Sequence, residues 1–104
     1  MYDICIDDID FEWDSEKDSI NLEKHGIDFT TEKNVFLDPD RIELFDDKHS
    51  TLGEYRYLTI GSVGCFTVVI ALVYTQRSNN IRIISARNAT KKEKEAYYNG
   101  CCKI

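Results

Sequence analysis

The 104-residue chain has one proline, one methionine, one tryptophan and five glycines. So little proline and glycine excludes a collagen-like or low-complexity chain. No segment repeats, which excludes a solenoid. Long apolar runs are missing as well. The longest, Cys65 to Tyr74, is about half of what a membrane-spanning helix needs. Met1 to Asp10 is acidic and has neither the basic nor the apolar stretch of a secretory leader. These absences predict a soluble, cytoplasmic protein with no membrane association, whose cysteines stay reduced. The four cysteines, Cys5, Cys65, Cys101 and Cys102, form no CxxC pair, and neither His25 nor His49 stands at zinc-site spacing from a cysteine pair. No metal and no cofactor are therefore expected. There is no phosphate-cradling glycine loop and no nucleophile elbow.

Hydrophobic residues make up 42% and charged residues 31%, a globular composition that excludes general disorder. The length fits a single domain over 1–104, which buries roughly 65% of its unfolded surface. Residues 1–8 read as an N-terminal extension and 100–104 as a tail. The net charge of −6 argues against a non-specific nucleic-acid binder, but its distribution is uneven. Residues 1–75 carry six Lys/Arg against seventeen Asp/Glu (−11), and residues 76–104 carry seven against two (+5). A basic end of this kind suits an anionic partner, or else is a solvated charged helix.

Alternation of Ile9, Phe11 and Trp13 with Asp10 and Glu12 predicts a short strand. Asp14 is a good N-cap and Gly26 a good left-handed C-terminus, so a helix is expected over about 14–25, with Lys17, Ile20, Asn21 and Lys24 at helical spacing. A second helix starts at Asp28 or Thr30 and ends at Asp38-Pro39, with Phe29, Lys33 and Phe36 on one face. Arg41 to Phe45 reads as a strand and the polar stretch Asp46 to Gly53 as a loop. In the strand Glu54 to Ile60, Glu54, Arg56, Leu58 and Ile60 share a face. Gly61 to Gly64 reads as a hairpin turn, and Cys65 to Thr75, apolar on both faces, as a central strand. Ser78 to Asn80 turns the chain into a strand over Ile81 to Ala86. Thr90 and Glu93 form a capping box for a last helix over about 91–99. The order β-αα-ββββ-α predicts an α+β domain: a curved, mainly antiparallel sheet packed against two N-terminal helices and one C-terminal helix.

The polar groups attached to this sheet are the candidates for chemistry. Glu54 and Arg56 form either part of a site or a surface ion pair worth less than about 1 kcal/mol. Arg82 and Arg87, five apart, face opposite sides of an ideal strand unless a bulge or an early strand end brings them together. Lys24 and His25 suit a helix C-terminus on dipole grounds alone. His49 lies in the polar stretch, where a solvated side chain is the plainer reading.

Several segments resemble the BrnT family of type II toxins. Phe11-Glu12-Trp13-Asp14, Asn21 through Phe29 and Val35 through Pro39 are similar to its opening. Asp46 through Ser50, Gly53 through Arg56 and Thr59-Ile60-Gly61 are similar to its middle. Arg82 through Thr90, with Glu93 and Tyr97, is similar to its end. The resemblance spans about 11–98. It implies a RelE/ParE-like fold and a metal-independent endoribonuclease that blocks translation, acting on free or ribosome-bound RNA. It also implies a cognate ribbon-helix-helix antitoxin, through which alone the protein meets DNA. Within that frame, Glu54 or His25 is expected as the base and Arg56 and Arg87 as phosphate stabilisers. Lys24 and His49 are acid or positioning groups, and Arg77, Arg82, Lys91 and Lys92 hold the RNA backbone. The alternative function is a catalytically inactive relative that pairs with an antitoxin and tunes its DNA binding. The acidic balance favours that alternative, whereas the retained polar set favours the enzyme.

Overall fold

The structure, a computed structural model, describes residues 10–63, 68–77 and 79–102. Strand β1 (Asp10–Trp13) is short because Asp14 ends it and starts a helix. The Asp14 carboxylate accepts the Glu16 N–H at 2.8 Å and the Lys17 N–H at 3.3 Å, satisfying amides that have no partner inside the helix. Helix α1 (Ser15–His25) stops at Gly26, whose φ of 76° only glycine adopts without strain; its N–H closes the turn on the Leu22 carbonyl at 2.8 Å. Asp28 caps α2 (Phe29–Glu32) by accepting the Thr31 N–H at 2.9 Å, and these Thr31 contacts hold its carboxyl below the ordinary range. A 3-10 turn (Lys33–Leu37) follows in place of the longer helix expected to reach Asp38. It still buries Val35 and Phe36, so the apolar spacing read from the sequence served a tighter turn.

Four longer strands come next: β2 (Ile42–Thr51), β3 (Glu54–Val63), β4 (Val68–Arg77) and β5 (Asn80–Asn88); α3 (Lys91–Cys102) closes the order. The sheet runs β1-β5-β4-β3-β2, with β1 parallel to β5 and every other pair antiparallel. The apolar β4 is central, as its two-sided pattern predicts. One face carries the main core: Phe29 and Phe36 from the helical layer lie against Ile70, Leu72 and Ile83, with Phe11 and Trp13 at the margin. The opposite face is covered over only part of its area. There Tyr97 of α3 packs with Ile60, Val69, Ala71 and Ala89, flanked by Ile42 and Leu58.

Three further readings of the sequence change. Asp46 to Thr51 is strand, not loop. Asp46 pairs with Arg56 and Thr51 with Glu54 across an irregular stretch, and Ser50 Oγ both donates to the Asp46 carbonyl (2.6 Å) and accepts the Arg56 N–H (2.9 Å). At a sheet edge the backbone pairs without burial, so no hydrophobic alternation marks it. Gly61 and Ser62 are not a turn: pairing of β3 with β4 continues through Gly61↔Ile70 to Val63↔Val68. Gly61 is needed for close approach instead, because a Cβ there would stand 2.9 Å from Val35 Cγ2 and 3.0 Å from Arg41 Cβ. Strand β5 runs on to Asn88, past the expected end at Ala86. Helix α3 runs to Cys102, through the start of the expected tail. Ile9, Gly64 to Thr67 of the expected turn and strand, residues 1–8, Ser78 and residues 103–104 of the tail lie outside the described residues.

Asp38 ties the layers together. Its Oδ2 accepts the Tyr97 hydroxyl at 2.6 Å and the Ser62 N–H at 2.9 Å, and its Oδ1 accepts the Asp40 N–H at 2.9 Å. Burial pushes this carboxyl up, but the Tyr97, Ser62 and Asp40 donors outweigh it and hold Asp38 low.

Candidate active site

A single extra residue in β5 sets the geometry of the open face. Val73 pairs with Ser85 and Tyr74 with Ile83, so Ile84 is a bulge. Beyond it the facing of the strand is inverted. Arg82 lies opposite Thr75 and Arg87 opposite Ala71, two residues on the same face of β4, so the arginines that an ideal strand would separate share one face. Arg56 also pairs with Thr75 and therefore points the same way, as does Arg77 two residues further along β4.

Two clefts meet beside the bulge. Among the described residues β1 pairs with β5 at Asn80–Ile83, which leaves the edge of 84–88 to face α1. The first cleft, about 350 Å³, lies there, with Lys17, Ile20, Asn21, Lys24 and His25 on the α1 side and Phe29 and the Ile84–Arg87 strand opposite. The helical spacing of Lys17, Ile20, Asn21 and Lys24 thus makes one wall. The second cleft, about 430 Å³, is the uncovered part of the sheet, lined by Asp46 and His49 of β2, Arg56 and Leu58 of β3, and β5. Ile84, Ser85 and Arg87 line both.

The charged groups are held. His49 Nδ1 stands 2.9 Å from Asp46 Oδ2; because a carboxylate only accepts, Nδ1 carries a proton in this pair and Nε2 is the nitrogen left for the cleft. Arg87 donates from Nη1 to Glu93 Oε1 (2.6 Å) and from Nη2 to Oε2 (3.0 Å). Those bonds, with the Thr90 N–H, bring the Glu93 carboxyl down to about 2 against the opposing effect of burial, and Glu93 in turn raises Arg87. Glu54 accepts from Arg56 Nε (3.0 Å) and Arg77 Nη2 (3.2 Å), which hold its carboxyl below the ordinary range, Arg56 most.

Of the residues singled out from the sequence, Lys24 and His25 line the first cleft, His49 and Arg56 the second, and Arg87 both. Glu54 lines neither; it anchors Arg56 and Arg77 from beside them. Arg82 is half-buried on the arginine-bearing face, outside the cleft linings, and Lys91 and Lys92 are exposed on the first turn of α3. Asp46, Asn21 and Ser85 are additions. The three-residue spacing of Asp46 and His49 is a signal for that pair, but Asn21 and Ser85 reach the clefts through tertiary packing alone. Among the described residues no three His, Cys, Asp or Glu side chains converge as a metal ion requires, and no helix is long and apolar enough to cross a membrane.

A small α+β domain whose sheet presents arginines and one histidine, and whose first helix presents a second histidine, to adjoining clefts has the groups that handling a phosphodiester needs. The family model described as "Ribonuclease toxin, BrnT, of type II toxin-antitoxin system" matches residues 13–93. The chain belongs to the BrnT family of ribonuclease toxins, whose membership implies an RNA substrate and an antitoxin partner. No curated protein matches the chain.

Proposed function

We propose that this chain cleaves RNA at the junction of the two clefts, without a metal ion, and so arrests translation. The observation that carries the reading is the position of Arg87, which lines both clefts with His25 in one and His49 in the other. The ribose 2′-oxygen attacks the adjacent phosphorus, the bond from phosphorus to the 5′-oxygen breaks, and the products are a 2′,3′-cyclic phosphate and a 5′-hydroxyl. His25 takes the 2′-hydroxyl proton. His49, its ring oriented by Asp46, delivers a proton from Nε2 to the leaving 5′-oxygen. Arg87 and Arg56 face the phosphate and stabilise the charge that grows on its oxygens. Lys24 positions the ribose side. Glu54 suits the role of base less well, because two arginines occupy it; it holds Arg56 in place instead. Arg77, Arg82, Lys91 and Lys92 attract the backbone on either side.

The same reading takes the sheet and helices as a RelE-like arrangement, places the protein in the cytoplasm and assigns it a ribbon-helix-helix antitoxin. The test is cleavage by the purified protein in EDTA, with the ends identified. Cyclic phosphate ends are expected, together with growth arrest when the chain is induced without its antitoxin. Cleavage that appears only after divalent metal is added overturns the mechanism.

A further inference from the structure

The first cleft has a built interior that the cleavage chemistry does not use. Asn21, in the second turn of α1, lines it and is 7% exposed. Its Nδ2 donates to the Ile27 carbonyl (2.9 Å) and to Glu32 Oε1 (2.5 Å), which employs both amide hydrogens. A backbone carbonyl can only accept, so the Ile27 bond fixes which end of the amide is nitrogen. Glu32, 1% exposed, supports it from behind. Oδ1 is left as the polar atom of Asn21 without a protein partner. It is a held acceptor in a cleft where the apolar side chains of Ile20, Phe29, Ile84 and Ala86 stand among the cationic Lys17, Lys24 and Arg87.

A fixed acceptor beside apolar side chains in an open cleft matches a flat ring that presents an N–H at its rim. The size fits one small group, near the lower limit of ligand pockets. Arg87 at the shared mouth places a phosphate beside it. We infer that the first cleft is a nucleobase pocket selecting bases that carry an exocyclic amine, with Asn21 Oδ1 accepting the amine hydrogen. The inference rests on RNA being the substrate. His25 lines the same cleft, so the base belongs to the nucleotide whose 2′-hydroxyl attacks. Uracil is disfavoured: where cytosine presents its exocyclic amine, uracil presents a carbonyl oxygen, which meets the Asn21 Oδ1 acceptor as a second acceptor. Asn21 is a specificity residue here and takes no part in proton transfer.

The experiment uses 2′-deoxy oligonucleotides with one ribonucleotide, so that one bond can be cleaved, and varies the base of that ribonucleotide. For the unaltered protein, kcat/KM is expected to be at least about tenfold higher for cytidine than for uridine, and for adenosine than for purine riboside, which lacks the amine. In Asn21→Ala both ratios should fall toward one, whatever the change in absolute rates. If that variant does not fold, the two substrate pairs on the unaltered protein still decide. Cleavage with equal rates within both pairs overturns the base pocket and leaves the ribonuclease standing. Fluorescence anisotropy with fully deoxy strands, deoxycytidine against deoxyuridine, supplies the complementary arm. Tighter binding of the deoxycytidine strand without cleavage of any RNA supports the pocket and overturns the nuclease. Neither cleavage nor a difference in binding overturns both.

Discussion

The Arg87 guanidinium and the Glu93 carboxylate face each other as a two-bond fork, at 2.6 and 3.0 Å, across the junction between β5 and α3. The same carboxylate accepts the Thr90 N–H at 2.9 Å, while the Glu93 N–H donates to Thr90 Oγ1 at 3.2 Å, completing the capping box. The end of the strand that carries the bulge and the start of the helix that covers the sheet are thereby one unit. Arg87 owes its orientation to a helix cap.

Arg87→Lys keeps the charge and loses the planar fork. The cleavage rate should fall by at least about tenfold, or roughly 1.4 kcal/mol of transition-state stabilisation. The Glu93 pair is partly exposed, so its loss should cost about 1 kcal/mol or less and lower the melting temperature by no more than about 8 °C. Rates measured well below the melting point separate the two effects. A stable lysine variant with full activity would remove Arg87 from phosphate binding.

Glu32 predicts a pH-dependent stability. Burial raises its carboxyl to about 7 despite the Asn21 bond, with Asp28 and Asp18 adding to the rise. The folded state therefore holds a proton that the unfolded chain releases near the ordinary value of 4.5. The stability this contributes is complete below about 4.5 and is lost as pH rises through about 7. Melting temperatures from pH 5 to 8 should fall for the unaltered protein and stay flatter for Glu32→Gln, which keeps the acceptor for Asn21. Parallel profiles would show that Glu32 does not titrate in this range.

Tyr97→Phe removes the hydroxyl that Asp38 accepts at 2.6 Å and leaves the ring in the second core. A bond to a charged acceptor of this kind contributes about 1.5–3 kcal/mol, and denaturant unfolding should register a loss of that size. Activity per folded molecule should be unchanged, because Tyr97 lines neither cleft. A loss of activity without a loss of stability would instead place the α3 face in the reaction.

Lys91 and Lys92 are exposed on the first turn of α3. Reversing both to Glu favours the helix dipole, so the fold should survive. If each lysine neutralises one phosphate of single-stranded RNA, the slope of log affinity against log salt should shrink by about 1.4. An unchanged slope would take this turn out of the RNA path.

Local signals in the sequence are legible where one side chain meets its own backbone neighbourhood. Asp14, Gly26 and the Thr90–Glu93 box begin or end helices at the positions expected of them, and of the two starts open to the second helix, Asp28 and Thr30, Asp28 is the cap. The two-sided apolar pattern of β4 marked it as central, and Leu58 and Ile60 share the face predicted for them. Two misread segments have one cause. Edge strand β2 pairs through its backbone without burial, and Gly61 answers to Val35 and Arg41, far from it in the chain. Hydrophobic periodicity reports burial, and it is silent on both.

The candidate site divides along the same line. The residue types were set by the sequence: arginines at 56, 77, 82 and 87, histidines at 25 and 49, and the similarity of their flanking segments to the BrnT family. Which of them stand together was decided by tertiary structure. The Ile84 bulge, visible only in the register with β4, turns Arg87 onto the face of Arg82 and Arg56. The short pairing of β1 leaves the edge of β5 to α1 and opens the cleft where Lys24, His25 and Asn21 meet Arg87. A strand's facing depends on counting residues against a partner strand, and a cleft depends on what fails to cover an edge; neither quantity is contained in a single segment of chain.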